Sequence, residues 1–253
     1  MPSRTAWDRL RVVWLNLWFW TAFTVVTLVF AVIVGMYLAA FGAVLRQRRR
    51  MLRRLRRSIS IYGEIVIRLG WPLVRVRYVD LSPGDKPPFV FVANHLSSSD
   101  AFLMAVLPFE CIQVLNNWPD QVPFVKWFSR AAGYLRIRQM TFEEFIAAGT
   151  KLLADGVSII VFPEGTRSRN GETGPFHGAA FRLAQMTGAN LCPLAISGNH
   201  RMPARGSLLL HPGRVQVTKL PALTRQQYDG LQPYVLKTRV RDAIKQQAAA
   251  MPA

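Results

Sequence analysis

One stretch near the N-terminus limits what this chain can fold into: from Val12 to Leu45 there is no charged residue. About 20 consecutive apolar residues are enough to cross a bilayer, so this stretch is long enough, with residues to spare. A cleaved signal peptide has a shorter apolar core that ends at a small-residue cleavage site. The sequence therefore predicts a retained membrane helix whose N-terminal part is rich in tryptophan. The same length also permits a re-entrant helical hairpin that bends near Gly35 or Gly42.

A dense basic run follows the apolar stretch. Eight arginines lie between residues 46 and 57, against three in the first eleven residues. Because basic residues flank membrane segments on the cytoplasmic side, we expect the inner (cytoplasmic) membrane, with the rest of the chain on its cytoplasmic side. Apolar residues recur at helical spacing through 46–69, which predicts a basic amphipathic helix lying on an anionic membrane surface. Two alternatives stay open, namely a purely topogenic signal and a patch that binds nucleic acid.

Composition bears on these alternatives. The 253 residues carry a formal net charge of +18, which implies an anionic partner such as nucleic acid, anionic lipid or a phosphorylated substrate. Hydrophobic residues make up 51% of the chain and the mean hydropathy is +0.16, which is too apolar for an ordinary nucleic-acid binder. We therefore expect a membrane partner and no nucleic acid. Cys111 and Cys192 lack the spacing of metal ligands, so we expect buried free thiols and no metal.

A second domain begins where Gly70-Trp71-Pro72 interrupts the helical pattern. From there, short apolar runs alternate with helical segments, which is typical of an α/β fold with a mostly parallel central sheet flanked by helices. We therefore divide the chain into a membrane-anchoring segment, 1–70, and an α/β domain, 71–253. The predicted strands are 74–78, 89–93, 111–115, 134–138 (with Arg136 and Arg138 on one face), 157–162, 191–196 and 214–218. The predicted helices are 101–107, 123–132, one that begins after a capping box at Thr141, 177–187, and a C-terminal helix with Val235, Leu236, Val240 and Ile244 on its buried side.

A polar segment lies between the strand 89–93 and the helix that follows it. Its sequence is Asn94-His95-Leu96-Ser97-Ser98-Ser99-Asp100. We expect one of the three serines to cap the helix, whose first turn suits Asp100. Asp100 would also bond one ring nitrogen of His95, which fixes the tautomer and leaves the other nitrogen free as a base. The alternative is a capped helix with a solvated histidine.

A second polar segment, Pro163-Glu164-Gly165-Thr166-Arg167, follows the buried strand 157–162. The carboxyl edge of an α/β sheet is where ligands bind, and Gly165 lets the main chain turn close to a ligand. Main-chain amides of this turn, the Thr166 hydroxyl and the Arg167 guanidinium suit a phosphate. The alternative is a tight turn with a solvated arginine.

The two segments together resemble motifs of the glycerolipid acyltransferase family, in particular of its 1-acyl-sn-glycerol-3-phosphate (lysophosphatidic acid) acyltransferases. Asn94, His95 and Asp100 match the first family motif, N-H-x-x-x-x-D, and residues 162–168 match the third, F-P-E-G-T-R-S. Gly133 and Arg138 fit the second motif. The strand 191–196, which contains a proline, resembles the fourth. The family usually has a lysine where this chain has His177.

The resemblance implies that an acyl group passes from acyl-CoA or acyl-ACP to the free hydroxyl of 1-acyl-sn-glycerol-3-phosphate, giving phosphatidic acid in phospholipid synthesis. The thioester is a co-substrate, and no cofactor is implied. His95 is then the general base, with Asp100 holding its ring. The acceptor-binding residues that the resemblance implies are Asn94, Arg138, Glu164, Gly165, Thr166 and Arg167. Two alternatives stay open: an acyltransferase acting on another lysolipid, such as lyso-ornithine lipid, and a membrane-tethered protein that binds anionic lipid without chemistry.

Overall fold

The computed structural model describes residues 6–41, 48–116 and 123–250. Two long helices come first, α1 (Ala6–Phe41) and α2 (Arg48–Leu69). Helix α1 is continuous through Gly35, so the alternative of a hairpin that bends at that residue is excluded. Gly42, the other position at which a bend is possible, and the first arginine of the basic run lie outside the described residues. From Trp7 to Ala40 the helix is long and apolar enough to cross a membrane.

Helix α1 lies along the body of the protein. One of its sides, from Val12 to Leu38, packs against the rest of the described chain, over about 39 Å at a rise of 1.5 Å per residue. Its other side is apolar and exposed, for example at Trp14 (64% exposed) and Leu17 (67% exposed). The helix therefore has one side that completes the protein core and one side with no protein partner in the described structure.

Helix α2 is amphipathic from Arg48 onward, as predicted, but its apolar stripe does not face a membrane. Leu55, Tyr62 and Val66 of this stripe are buried within the protein. Only the arginine side of α2 is therefore available to headgroups. Arg56 is an exception on that side, because its guanidinium is 7% exposed and donates to the carbonyl of Ala132 and to Glu110.

Within the described ranges, seven strands form one sheet. They are β1 (Val74–Asp80), β2 (Phe89–Ala93), β3 (Cys111–Leu115), β4 (Leu135–Arg136), β5 (Ser158–Val161), β6 (Asn190–Ser197) and β7 (Gly213–Lys219). Their order in the sheet is β1-β7-β6-β2-β5-β3-β4. Neighbouring strands pair in parallel, except β6 and β7, which are antiparallel. The α/β fold with a mostly parallel central sheet is thus confirmed, and the carboxyl ends of β2, β3, β5 and β6 meet at one edge.

Helices cover both faces of the sheet. They are α3 (Asp100–Leu103), α4 (Pro123–Ala131), α5 (Phe142–Ala154), α6 (Ala179–Thr187), α7 (Arg225–Tyr228) and α8 (Pro233–Ala249). Helices α5, α6 and α8 supply Phe145, Phe181 and Leu236 to the core on one face. Helices α1, α2 and α3 cover Phe89 and Phe91 on the other face. The two central strands, β2 and β5, are buried between these layers along their whole length, as their apolar sequences predict.

Three predicted elements differ from the observed ones. The strand expected at 134–138 is only two residues long and gives way to a 3-10 turn at Ile137–Gln139, so Arg136 and Arg138 do not share a strand face. The helix expected at 101–107 is a single α-turn that begins at Asp100 and continues as a 3-10 turn. Val235 in α8 is 48% exposed, so it is not on the buried side of that helix. The capping box at Thr141 is confirmed.

Candidate active site

The turn after β2 brings His95 and Asp100 together, as predicted. Nδ1 of His95 lies 2.7 Å from Oδ2 of Asp100, and the same oxygen accepts the main-chain N–H groups of Leu96 at 2.6 Å and Ser97 at 2.8 Å. Because Asp100 is an acceptor in these bonds, Nδ1 of His95 donates to it and Nε2 is left as the basic nitrogen. Asp100 is 0% exposed. The imidazole packs against the Phe162 ring, with 4.6 Å between ring centroids.

The serines of this turn do not cap α3. Ser99 precedes the helix without a side-chain capping bond, so the predicted cap is wrong. The hydroxyls of Ser97 and Ser99 donate instead to the carbonyls of Pro203 and Met202. They therefore hold a distant segment of chain against the turn.

Asn199 is a site residue that the sequence analysis missed. Its Nδ2 donates to Oδ1 of Asp100 and to the hydroxyl of Ser99, and its side chain is 1% exposed. The two carboxylate oxygens of Asp100 are thus both engaged by donors. One signal was present in the sequence: Asn199 follows β6 at the carboxyl edge of the sheet, where polar residues gather around ligand sites.

An open cavity of about 570 Å³ lies in front of the His95 ring. Of the predicted site residues, it is lined by His95, Arg138, Gly165, Thr166 and Arg167. In the described part of the chain, no carboxylate forms an ion pair with Arg138 or Arg167. The cavity therefore combines a basic nitrogen with two cationic groups, an arrangement suited to an anionic ligand that carries a proton to be removed.

The loops that carry the two motifs are bonded to each other. Ser168 donates its main-chain N–H to the carbonyl of His95 at 2.8 Å. Gly165 has φ +66, a left-handed conformation that favours glycine. Its carbonyl accepts from Asn116 at 3.0 Å, and Oδ1 of Asn116 accepts from Arg138 at 3.1 Å. Asn116 thus fixes the position of Arg138 relative to the glycine turn.

Glu164 and Asn94 lie behind the turn, outside the cavity in front of His95. Glu164 is 8% exposed, and its oxygens accept the N–H groups of His95 at 2.8 Å and of Gly174 at 2.9 Å. Burial raises the pKa of this carboxyl. Asn94 is 1% exposed and pairs with both main-chain groups of Ile196, at 2.9 and 2.7 Å. The structure thus gives both residues contacts that fix the loops, and their predicted contact with the substrate stays a prediction.

Comparison with known proteins identifies the domain that holds this site. A family model described as Acyltransferase matches residues 73–197. The chloroplastic 1-acyl-sn-glycerol-3-phosphate acyltransferase LPAT1 of Arabidopsis thaliana is 27% identical over 187 residues, which are 72% of this chain and 50% of that protein. The alpha 1-acyl-sn-glycerol-3-phosphate acyltransferase of Mus musculus is 32% identical over 155 residues, 58% of this chain and 52% of that protein. The chain thus spans about half the length of these relatives.

A solved structure has the same fold. The crystal structure of the 1-acyl-sn-glycerophosphate (LPA) acyltransferase PlsC from Thermotoga maritima superposes with a TM-score of 0.75, at 22% sequence identity. The superposition covers 97% of this chain and 99% of that one, so it includes the N-terminal helices. The superposition shows the shared fold, and the family match shows that residues 73–197 form a domain of the acyltransferase family.

Proposed function

We propose that this chain is a membrane-bound O-acyltransferase that moves a fatty acyl group from acyl-CoA or acyl-ACP to the free hydroxyl of 1-acyl-sn-glycerol-3-phosphate, giving phosphatidic acid. One observation carries the proposal: His95, whose Nδ1 is bonded to Asp100, lines a cavity that Arg138 and Arg167 also line. The headgroup of a lysophosphatidic acid carries a phosphate and a free hydroxyl close together. In this cavity the two arginines suit the phosphate, and the His95 imidazole suits the hydroxyl. The names of the matched relatives support the same acceptor.

In the proposed reaction, Nε2 of His95 removes the proton of the acceptor hydroxyl as its oxygen attacks the thioester carbon. The resulting imidazolium is stabilised by the carboxylate of Asp100, to which Nδ1 donates. Collapse of the tetrahedral intermediate breaks the carbon–sulfur bond, and the imidazolium returns its proton to the leaving thiolate. No protein nucleophile is needed, because the thioester is already activated. The hydroxyls of Ser97 and Ser99, both bonded to distant carbonyls, are used structurally.

The two arginines of the cavity are the proposed phosphate ligands. A guanidinium presents paired N–H donors that match phosphate oxygens. Arg138 is held in place by Asn116, whereas Arg167 follows the glycine turn directly. We assign the headgroup phosphate to this pair, and the nearby glycerol to Gly165 and Thr166.

An apolar cavity of about 290 Å³ adjoins the cavity that His95 lines. The two share Ala101, Gln113 and Leu115 in their walls. The second cavity runs between α1, α2 and the sheet, and its other walls include Phe23 and Tyr62. Since its lining is mostly apolar and it shares wall residues with the cavity that His95 lines, we assign it to the acyl chain of the thioester.

The position of α1 bears on how the enzyme meets its lipid substrate. Because one side of the helix is packed along the body for about 39 Å, α1 cannot cross a bilayer upright without drawing the catalytic domain in with it. We propose that α1 lies within one leaflet, with its exposed apolar side in the acyl region. Residues 46–57 carry more arginines than the first eleven residues, and basic residues favour the cytoplasmic side of a membrane. We therefore assign α1 to the cytoplasmic leaflet.

A thiol-release assay tests the proposed function. The purified full-length chain in detergent is given one acyl-CoA and a panel of lysolipids, with release of free thiol as the readout. We expect release that depends on lysophosphatidic acid and is weak with lysolipids that lack a phosphate monoester. Release with another lysolipid alone would identify a different acceptor, and no release with any acceptor from either thioester donor would contradict acyl transfer.

A further inference from the structure

Residues 199–210 form a continuous segment, here called the strap, that runs from the active site to α1. At its active-site end, Asn199 donates to Asp100. The carbonyls of Met202 and Pro203 accept the hydroxyls of Ser99 and Ser97. The first part of the strap is therefore fixed to the turn that carries the catalytic pair.

The other end of the strap is fixed to α1. Asn16 is 6% exposed and pairs with both main-chain groups of Leu210, accepting at 2.7 Å and donating at 3.0 Å. One helical turn further on, the indole N–H of Trp20 donates to the carbonyl of Leu208 at 2.9 Å. Asn16 has the one side-chain amide in the uncharged run 12–45, and these bonds account for its presence there.

At the end that is fixed to α1, the strap exposes apolar side chains. Leu208 is 71% exposed and Leu209 is 39% exposed. Both lie next to the N-terminal half of α1, whose own exposed side includes Trp14 and Trp18. The strap therefore extends the exposed apolar side of α1 by a second chain segment. Arg201 and Arg205 precede these leucines and are both exposed.

We propose that the strap is a second membrane-contacting element, in which Leu208 and Leu209 enter the interfacial acyl region of the bilayer beside α1 while Arg201 and Arg205 contact anionic headgroups. A bilayer is the occupant that fits, because the leucines are continuous with the apolar side of α1. Basic residues flanking inserted leucines are typical of segments that bind anionic interfaces. Because the strap is bonded to Asp100, Ser97 and Ser99, its position in the membrane then fixes the distance between the turn that carries His95 and the acyl region of the bilayer.

Depth-dependent quenching tests this placement without any assay of activity. An environment-sensitive fluorophore is attached to a Leu208→Cys variant and, as a matched control, to Met186→Cys, since Met186 is 64% exposed on α6 at the opposite face. Each is bound to phosphatidylglycerol–phosphatidylethanolamine vesicles with brominated acyl chains, and the wild-type chain treated identically gives the background. We expect several-fold stronger quenching at position 208 than at position 186. Equal quenching at the two positions would overturn the proposal.

A second measurement, which rests on the proposed acyl transfer, tests whether the contact is used. A Leu208→Asp/Leu209→Asp variant is compared with Met186→Asp, using acceptor in vesicles and acceptor dispersed in detergent. We expect the double variant to lose at least about fivefold in turnover on vesicles and to keep its turnover in detergent. Equal losses in the two assays would show a folding defect and overturn the proposed use of the contact. If the wild-type chain transfers no acyl group at all, the function fails while the quenching result still decides the placement.

Discussion

The side chain of Glu164 accepts the main-chain N–H of His95 at 2.8 Å. It thereby joins the loop after β5 to the loop after β2, and its second oxygen reaches Gly174 at 2.9 Å. A residue of the segment 163–167 thus supports the main chain of His95, the proposed general base. These two contacts give the acidic residue of F-P-E-G-T-R-S a structural role in joining the loops.

Replacing Glu164 with glutamine tests this support. The amide has one oxygen, so one of the two main-chain N–H groups would face an –NH₂ donor and lose its partner. An unsatisfied buried donor costs about 1–3 kcal/mol, so we expect the free energy of unfolding to fall by that amount and turnover to fall with it. Chemical denaturation and the thiol-release assay measure the two effects. Glu143→Gln, at an exposed position in the first turn of α5, is the matched control, and equal effects of the two substitutions would contradict the role given to Glu164.

Removal of the His95 imidazole is expected to abolish transfer while leaving membrane binding intact. General-base catalysis contributes about 10²–10⁴-fold to a rate, so we expect His95→Ala to lose turnover on that scale. Sedimentation with vesicles serves as the check on membrane binding. His200→Ala, a substitution of an exposed histidine outside the catalytic cavity, is expected to keep wild-type turnover. Near-normal transfer by His95→Ala would remove the general base from the mechanism.

Asn199 is expected to act on the rate through Asp100. Asn199→Leu keeps the volume but removes the donor to Oδ1 of Asp100, so the carboxylate is held less firmly against the imidazole. We expect kcat to fall about tenfold or more, the scale seen when the hydrogen-bond partner of a metal-ligating histidine is removed, with little change in KM for the lysolipid. A pH profile of kcat separates this role from a structural one, because only a disturbed His95–Asp100 pair would shift the ascending limb. An unchanged profile with reduced folded fraction would assign Asn199 to stability alone.

The two cavity arginines are expected to govern acceptor affinity. A lysine at position 167 keeps the charge but not the paired N–H donors. Since hydrogen bonds to charged groups contribute about 1.5–3 kcal/mol, we expect Arg167→Lys to raise KM for lysophosphatidic acid by about tenfold and to change kcat less. Arg169→Lys, two residues further on and exposed, is the control. A loss confined to kcat in Arg167→Lys would place that guanidinium at the reacting carbonyl instead of at the phosphate.

The apolar cavity predicts a change in acyl-chain preference. Ser60 lines it from α2, and a phenylalanine there would fill part of its length. We expect Ser60→Phe to lower kcat/KM for long saturated acyl donors while sparing short ones. The control, Ser58→Phe, lies on the same helix but outside the cavity wall. If both variants keep the chain-length profile of the wild type, the acyl chain lies elsewhere.

Local patterns in the sequence predict the contact between His95 and Asp100, but they do not predict contacts between residues that are far apart in the chain. His95 and Asp100 are five residues apart on one turn, so their contact follows from a strand, a turn and a helix in succession. Asn199 reaches the same carboxylate from about a hundred residues away, and no local pattern encodes that meeting. In the same way, the arginine alternation around Arg136 predicts a strand, but β4 pairs with β3 over only two residues, and Arg136 is buried.

The packing of α2 is a second case in which the sequence predicts the element but not its contacts. Periodicity correctly predicts an amphipathic helix, but it cannot say which surface covers the apolar stripe. Phe30 of α1 stacks on Tyr62 of α2, with ring centroids 4.5 Å apart, so a second helix occupies the position expected for lipid. Residues 1–70 were predicted as an anchor beside a domain, and the contacts show that part of this anchor is packed into the domain's core.

That packing decides how the protein can be handled. Deletion of α1 would expose the apolar residues of the sheet that Phe19 packs against. We therefore expect a truncated chain to aggregate, so that truncation does not give a soluble protein. A soluble variant instead requires polar substitutions on the exposed side of α1, at Trp14, Leu17 and Leu28, with the buried side of the helix unchanged.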